Sequence, residues 1–372
     1  MDNLTALVVD DTIVYRKIVG DILKQIPGIA VVGTANNGKI ALSKIKSLKP
    51  DLVTLDIEMP EMTGIEMLQQ LQDFDPMPKV IMVSTLTREG SEMTIKALEL
   101  GAFDFISKPD EGTMARNLDR VKAALVPIIT AVKNQKAATS RTRGKITPRT
   151  SGASPRKPVP ASPALAAGTA AARAAKHRGT AKSEIVGIGI STGGPNALTK
   201  MIPMLPADFK APILIVQHMP PMFTASLANS LNNKSRLFVK EAQDGDILTA
   251  GTIYIAPGGR QMKIVAGADG STRKIHITDD PPENSCKPSV DYLFRSIARY
   301  YVGRSTGVIM TGMGSDGTKG LVQIKENGGI VIAQDEASCT VFGMPKQPIE
   351  TGLADIISPL EMIAGEIVKT VI

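Results

Sequence analysis

The chain has 372 residues, two cysteines, three histidines and a formal net charge of +7. That length leaves room for two domains with cores of their own. No apolar run approaches the ~18 residues of a membrane span, so membrane insertion is not expected. The two cysteines, Cys286 and Cys339, make neither a zinc pattern nor a disulfide framework, which points to reduced thiols and a cytoplasmic chain. Met1–Asp10 is acidic and enters a strand at once, so no signal peptide is expected. The positive charge belongs to one stretch. Lys133–Ser183 holds 12 of the 43 Lys and Arg and no acid, which leaves 31 bases against 36 acids, a net −5, elsewhere. A nucleic-acid-binding domain, which needs its basicity on a folded surface, is therefore not expected.

From Thr5 the chain alternates strand and helix. Ala6–Val9 is a strand ending in Asp10 and Asp11, and a helix follows with apolar Ile13, Val14, Ile18, Ile22 and Leu23. Ile29–Val32, Asp51–Leu55, Val80–Val83 and Phe103–Ile106 are further strands. Asn37–Leu48, Gly64–Leu71, Arg88–Leu100 and Thr113–Lys133 are helices. Five such repeats predict a doubly wound five-stranded parallel sheet with a ligand site at the carboxyl ends of its strands. The polar residues fall at that edge. Asp10, Asp11 and Asp56 converge there, and three carboxylates need a cation; hard oxygens select Mg²⁺ or Mn²⁺. Asp56 stands free to attack a phosphoryl group. Lys108 is placed to pair with the phosphoryl charge and Ser84 to hydrogen-bond it.

Asp10-Asp11, Asp56-Ile-Glu-Met-Pro60, Ser84 and Lys108-Pro109 resemble the receiver domain of two-component response regulators over about Thr5–Val132. The resemblance implies Mg²⁺-dependent phosphorylation of Asp56 by a histidine kinase. Asp10, Asp11, Asp56 and the backbone of Glu58 would hold the metal. Ser84 would move toward the phosphoryl group, and Phe105 takes the place of the aromatic switch residue.

Residues 1–132 thus form a first domain, and 133–183 a linker. The linker is rich in Ala, Pro, Ser, Thr, Lys and Arg and has almost no large apolar residues. It cannot bury a core and is expected to be a solvated tether, or else a basic arm that docks on an acidic surface. His177 lies in it and is a poor catalytic candidate.

Residues 184–372 make a second domain, organised around Ile185–Gly194. A buried apolar strand runs into Gly189-x-Ser191-x-Gly193, and Asn196–Met204 reads as helix. This fits a nucleophile elbow, in which glycines let the backbone turn sharply and expose the hydroxyl. A dinucleotide fingerprint would need glycine where Thr192 stands. Ala211–Gln217 is a buried strand that delivers His218 past its end. His276 sits within an alternating strand, so His218 is the better base. Leu237–Lys240, Thr252–Ala256, Met262–Val265 and Lys274–Ile277 read as a β-rich insert. Pro288–Tyr300 is an amphipathic helix, Gly307–Thr311 a strand, Thr318–Asn327 a helix and Gly329–Asp335 a last buried strand. Gly312–Gly317 nearly spells a P-loop, but Thr318 replaces the required lysine. Ser191, His218 and Asp316 each follow a strand of the parallel type, and such ends face one crevice. Serine needs a histidine to take its proton, and the histidine needs a carboxylate to orient its ring. Asp335 is the second candidate for the third member. Asp316 is preferred because its glycine-rich turn also offers N–H groups near Met313.

Ile188-Gly-Ile-Ser-Thr-Gly-Gly-Pro195, Val216-Gln-His-Met-Pro220, Tyr254-Ile-Ala-Pro-Gly258, Lys287-Pro-Ser-Val-Asp291, Met310-Thr-Gly-Met-Gly-Ser-Asp-Gly317 and Val341-Phe-Gly-Met-Pro345 resemble the catalytic domain of the chemotaxis protein-glutamate methylesterases. The resemblance runs from about Glu184 to the C-terminus. It implies a second doubly wound α/β domain, an esterase acting on glutamyl γ-methyl esters of chemoreceptor helices and releasing methanol, with glutamine deamidation at the same sites; the chain order Ser, His, Asp disfavours a common α/β-hydrolase. It carries the roles of nucleophile, base and orienting acid to Ser191, His218 and Asp316, and oxyanion N–H groups to Thr192 and Met313. No cofactor is implied for the hydrolysis. The first domain is expected to cover the Ser191 crevice until Asp56 is phosphorylated. A regulator with DNA-binding output would need a basic helical second half, which this is not. A receptor adaptor without catalysis would use the same crevice and survive loss of Ser191.

Overall fold

Short apolar runs, buried on both faces, become parallel strands in both halves of the chain. The computed structural model describes residues 3–109, 114–143 and 182–371, with 114–116 and 137–143 as helix backbone only. In the first half, β1 (Leu4–Val9), β2 (Ile29–Ala35), β3 (Leu52–Asp56), β4 (Lys79–Ser84) and β5 (Asp104–Ser107) pair in the order β2-β1-β3-β4-β5, all parallel. Helices α1 (Ile13–Gln25), α2 (Gly38–Leu48), α3 (Gly64–Leu71), α4 (Arg88–Glu99) and α5 (Met114–Arg143) connect and flank them. Side chains start three of these helices. Asn37 accepts from Ile40 N, Thr87 from Gly90 N, and Thr63 forms a reciprocal capping box with Glu66. Helix α5 runs ten residues beyond the Lys133 end expected for it. Lys133–Arg143 holds Ala, Lys, Gln and Arg and neither glycine nor proline, so nothing in it stops a helix. The rest of the expected linker, with His177, lies outside the described residues.

The second half has a seven-stranded parallel sheet in the order β14-β13-β12-β6-β7-β9-β8. Its strands are β6 (Ile185–Ile190), β7 (Ile213–Gln217), β8 (Phe238–Glu241), β9 (Thr252–Ile255), β12 (Ser305–Ile309), β13 (Ile330–Gln334) and β14 (Ile356–Ser358). The first strand, β6, stands near the middle. The chain builds outward on one side through β7, then returns to build β12, β13 and β14 on the other. That reversal makes a topological switch point, the place where ligand sites of such sheets lie.

The β-rich insert is smaller than the sequence suggests. Only β10 (Gln261–Ala266) and β11 (Arg273–Thr278) form a separate antiparallel hairpin. Strands β8 and β9 belong to the main sheet and run parallel to it. Every residue of β9 is buried, which its short Thr-Ile-Tyr-Ile run does not reveal. Helices α6 (Gly194–Met201), α7 (Phe223–Asn232), α8 (Val290–Tyr300), α9 (Thr318–Glu326), α10 (Lys346–Glu350) and α11 (Leu360–Val371) cover the sheet. Of these, α8 buries Val290, Leu293, Phe294 and Ile297 against the sheet. It approaches β6 so closely that a Cβ at Gly189 would stand 2.3 Å from Val290 Cγ1. The glycines of Ile-Val-Gly-Ile-Gly-Ile thus serve packing as well as the turn.

The two halves are in contact. Ser91 of α4 and Ser226 of α7 share a buried hydrogen bond of 2.7 Å. Lys234 pairs with Glu99 at 2.5 Å, and Ser230 donates to the same carboxylate. Asn196 of α6 donates to Ala102 O at 3.3 Å. The rings of Phe105 and Phe223 have centroids 4.5 Å apart with planes tilted by 31°. Met313 and Val341, from loops flanking Ser191, lie against the apolar cluster of the first half.

Candidate active site

Ser191 directly follows β6. Its N–H donates to Thr311 O at 3.0 Å, and its carbonyl accepts from Gly194 N at 2.7 Å and from Gln217 Nε2 at 3.0 Å. The turn passes through Gly193 at φ 76°, where a Cβ would fall 2.4 Å from Thr340 Cβ, so only glycine fits. Proline at the second position of α6 suits a helix start, where its missing N–H is no loss. Three neighbouring strands deliver the three expected residues. Ser191 follows β6, His218 follows β7, and Asp316 lies in the loop after β12.

His218 and Asp316 are joined. His218 Nε2 stands 2.9 Å from Asp316 Oδ2. Asp316 is 3% exposed and accepts four more hydrogen bonds. These come from Asn284 Nδ2 (2.9 Å), Ser289 Oγ (2.9 Å), Val290 N (2.7 Å) and Asp291 N (3.2 Å). The backbone donors belong to the first turn of α8, whose dipole also favours an anion. Burial works to raise the Asp316 pKa, but His218 and these donors overcome it and hold the carboxyl down at about 2. Burial likewise works against the charged form of His218. Asp316 and the sulfur of Cys286, 3.8 Å from Nδ1, outweigh it and hold the imidazole up at about 9. Among the described residues no hydrogen bond joins Ser191 Oγ to His218. With Nε2 turned to Asp316, Nδ1 is the nitrogen left to face a hydroxyl.

Thr192 is buried, and its carbonyl accepts from Thr311 Oγ1 at 2.9 Å. Among the described residues neither Thr192 N–H nor Met313 N–H makes a hydrogen bond, which leaves both available to an oxyanion. Among the described residues no hydrogen bond joins Asp335, the second candidate for the acid, to His218. Asp335 caps its own loop by accepting from Ser338 N at 3.0 Å and Ser338 Oγ at 2.6 Å. His276 lies on β11, bonded to Asp244 at 2.7 Å. Sequence reasoning passed over Asn284, Ser289 and Gln217, which hold Asp316 and Ser191 in place. Ser289 could have been found from its N-cap position before α8; Asn284 gives no sequence signal beyond standing in a short polar turn.

A second cluster lies at the carboxyl edge of the first sheet. One oxygen each of Asp10, Asp11 and Asp56 falls within 4.8 Å of the others. Lys108 Nζ stands 2.9 Å from Asp10 Oδ2 and 2.7 Å from Asp56 Oδ2. Burial pushes the Asp56 carboxyl up to about 6; Lys108 opposes this, while Asp10 and Asp11 add to it. Buried Asp10 Oδ2 has the ion pair with Lys108 but no aligned hydrogen bond. Hard oxygens crowded in this way, with one poorly satisfied, suit a divalent cation. Glu58 is exposed two residues beyond Asp56. Ser84 is buried and donates to Gly90 O at 3.1 Å, beneath α4. Phe105 lies at the contact with α7 described above.

Both halves of the chain are similar to known proteins. The family model for a CheB methylesterase matches residues 186–367, and that for a response regulator receiver domain matches residues 6–119. A protein-glutamate methylesterase/protein-glutamine glutaminase of Desulfotalea psychrophila is 56% identical over 100% of this chain and 99% of its own length. One of Bacillus subtilis bearing the same name is 43% identical, over 99% of this chain and 98% of its own. The crystal structure of the Thermotoga maritima CheB methylesterase catalytic domain shares 44% identity, covering 51% of this chain and 99% of that one, with a TM-score of 0.49. Among the described residues no helix is long and apolar enough to cross a membrane. Matched along its full length in this way, the chain belongs to the CheB methylesterase family, with a receiver domain ahead of the methylesterase domain.

Proposed function

We propose that this chain hydrolyses γ-methyl esters of glutamate on chemoreceptor signalling helices, releasing methanol, and deamidates glutamine at the same sites. Ser191 is the nucleophile. The observation that supports the reading is that Ser191, His218 and Asp316 follow the adjacent strands β6, β7 and β12, with the side chains of His218 and Asp316 bonded at 2.9 Å. Ser191 Oγ attacks the ester carbonyl while His218 Nδ1 takes its proton. Asp316 stabilises the resulting imidazolium through Nε2. The N–H groups of Thr192 and Met313 receive the oxyanion. Methoxide leaves with the proton from His218 as methanol, and His218 then takes a proton from the water that frees the glutamate. An amide in place of the ester gives ammonia and the same acyl-enzyme.

Asp56 is the phosphoryl acceptor, with a histidine kinase as physiological donor. Asp10, Asp11, Asp56 and the backbone of Glu58 would hold Mg²⁺, which when bound neutralises charge on the phosphoryl oxygens. Lys108 pairs with the phosphoryl group, and Ser84 and Phe105 respond to it. Support for a link to the esterase comes from Phe105, which touches Phe223 of the second domain. Asp104 beside it accepts from the Thr192 side chain, next to the nucleophile. The receiver therefore restrains the Ser191 loops, and phosphorylation releases them. Methanol release from methylated receptor membranes, with and without a small phosphodonor and Mg²⁺, tests the whole reading. No release in either condition by folded protein would overturn it.

Two further outcomes follow from the geometry. Reversing the charge of Lys234 sets two carboxylates at the contact with Glu99. A loss of about 1 kcal/mol in docking gives roughly fivefold more methanol release without phosphodonor. Unchanged basal release would remove the Glu99–Lys234 pair from the restraint. The second outcome concerns pH. His218 must be neutral to accept a proton, and in the docked form it is held up at about 9. Without phosphodonor, kcat/KM should therefore keep rising with pH toward 9. A plateau already reached just above the ordinary histidine value of about 6.5, with no further rise toward 9, would argue against this.

A further inference from the structure

The turn Glu283–Cys286 reaches both members of the His218–Asp316 pair from outside the strands that carry them. It is closed by Glu283 N donating to Cys286 O at 3.1 Å and Cys286 N donating to Glu283 O at 2.7 Å. Its central residues, Asn284 and Ser285, stand at φ 49° and 63°. That region is costly for most side chains and mildest for asparagine. Arg295 of α8 holds Glu283 through both terminal guanidinium nitrogens. From this frame Asn284 Nδ2 donates to Asp316 Oδ1 and to Asp291 Oδ2, at 2.9 Å each. Both carboxylates are buried, and burial and the neighbouring Asp316 raise the Asp291 pKa. Asn284 is the side chain, among the described residues, that bridges these two like charges. Two residues on, Cys286 Sγ lies 3.8 Å from His218 Nδ1.

We propose that this turn positions the catalytic pair: Asn284 fixes the Asp316 carboxylate on His218 Nε2, and the Cys286 sulfur holds the other edge of the ring at Nδ1. The inference rests on the hydrolytic roles of Ser191, His218 and Asp316. Neither Asn284 nor Cys286 takes part in bond making. Asn284 settles one oxygen of Asp316 and offsets the repulsion from Asp291, so the other oxygen keeps its place on the imidazole. Cys286 lies on the nitrogen that must receive the Ser191 proton, so any group added to its sulfur obstructs that transfer. The chain's other cysteine, Cys339, has its thiol pushed up to about 12 by burial and nearby Asp335 and Glu336. A thiol reagent at neutral pH is thereby directed to Cys286.

The test uses the full chain, activated by phosphodonor and Mg²⁺, with kcat and KM for methanol release measured separately. Loss of release in Ser191→Ala first establishes the hydrolytic reading; release that survives it would fail that reading and leave the turn out of account. Asn284→Gly keeps the left-handed backbone and removes only the amide. The expected result is a kcat at least about tenfold lower with KM within about twofold, at an unchanged melting temperature. Asn284→Asp, of equal size and equally at ease in the turn, shows the same loss and serves if the glycine variant does not fold. A kcat within twofold of wild type in either folded variant overturns the role of Asn284. Methyl methanethiosulfonate then probes Cys286: the thiolate attacks the sulfenyl sulfur, a mixed disulfide forms and methanesulfinate leaves. Wild type should lose at least about tenfold in kcat and recover with dithiothreitol, while Cys286→Ala keeps through the same treatment the activity it had. Full activity after complete modification, or equal loss in Cys286→Ala, overturns the role of Cys286.

Discussion

Ser191→Ala is expected to lower methanol release from methylated receptor membranes by about 10³- to 10⁶-fold, with or without phosphodonor. The range is that of serine hydrolases stripped of their nucleophile, where oxyanion donors and binding alone give the residual rate. The loss would be one of chemistry rather than of folding. Ser191 Oγ makes no hydrogen bond to His218, and the backbone of residue 191 is held by Thr311, Gly194 and Gln217 whatever its side chain. Gly193, with its left-handed conformation and its closeness to Thr340, is untouched by the change. The melting temperature of Ser191→Ala should therefore match that of wild type, and its Asp56 should still be phosphorylated. The same variant separates an esterase from an adaptor that only occupies receptor helices, since an adaptor would keep its function. Methanol release at the wild-type rate in Ser191→Ala would remove Ser191 from the chemistry and, with it, the roles given to His218 and Asp316.

The placement of the candidate site's residues was legible in the sequence because they lie at strand ends. A run such as Ala211–Gln217 shows as apolar and β-branched, and the polar residue that follows it stands at the sheet edge whatever the details of packing. The same logic found Asp10, Asp56 and Ser84. Distinguishing Asp316 from Asp335 needed more, because both follow buried strands; the structure separates them by what they bond, one to His218 and one to its own loop. Strand order was less legible. Thr252–Ile255 is too short to show whether one face or both are buried, and so β9 read as part of an insert rather than as a strand of the main sheet. Helix α7, just after His218, is not among the elements read from the sequence; Pro220 and Pro221 precede it. The partners of Asp316 were the least legible. Asn284 and Ser289 reach it from 27 or more residues away in sequence, through a turn whose shape depends on Arg295 and Glu283. No local pattern encodes such a contact.

Asp56→Asn is expected to abolish the response to phosphodonor. Wild type should gain tenfold or more in methanol release, and the variant less than twofold. The argument rests on the size of the contacts between the two domains. An aromatic pair such as Phe105–Phe223 contributes about 0.5–1.5 kcal/mol beyond the area it buries. A neutral hydrogen bond such as Ser91–Ser226 contributes about 1 kcal/mol. A partly exposed ion pair such as Glu99–Lys234 contributes about 0–1 kcal/mol. Each is close to the ~1.4 kcal/mol that changes a two-state population tenfold, so a modest event at Asp56 suffices to shift the balance. The path from Asp56 to these contacts is short. Ser84, at the end of the strand beside β3, donates to Gly90 O in the first turn of α4, one residue before Ser91. Drawing the Ser84 hydroxyl toward a phosphoryl group would break that bond at the base of the helix that meets α7. Phe105, on the next strand, would lose its place against Phe223 if its ring followed. Asparagine at position 56 keeps the size of the side chain and accepts no phosphoryl group, so neither movement is driven. An Asp56→Asn protein that still gained tenfold with phosphodonor would place the trigger elsewhere. If Mg²⁺ alone gave that gain, the cation rather than the phosphoryl group would be the effector.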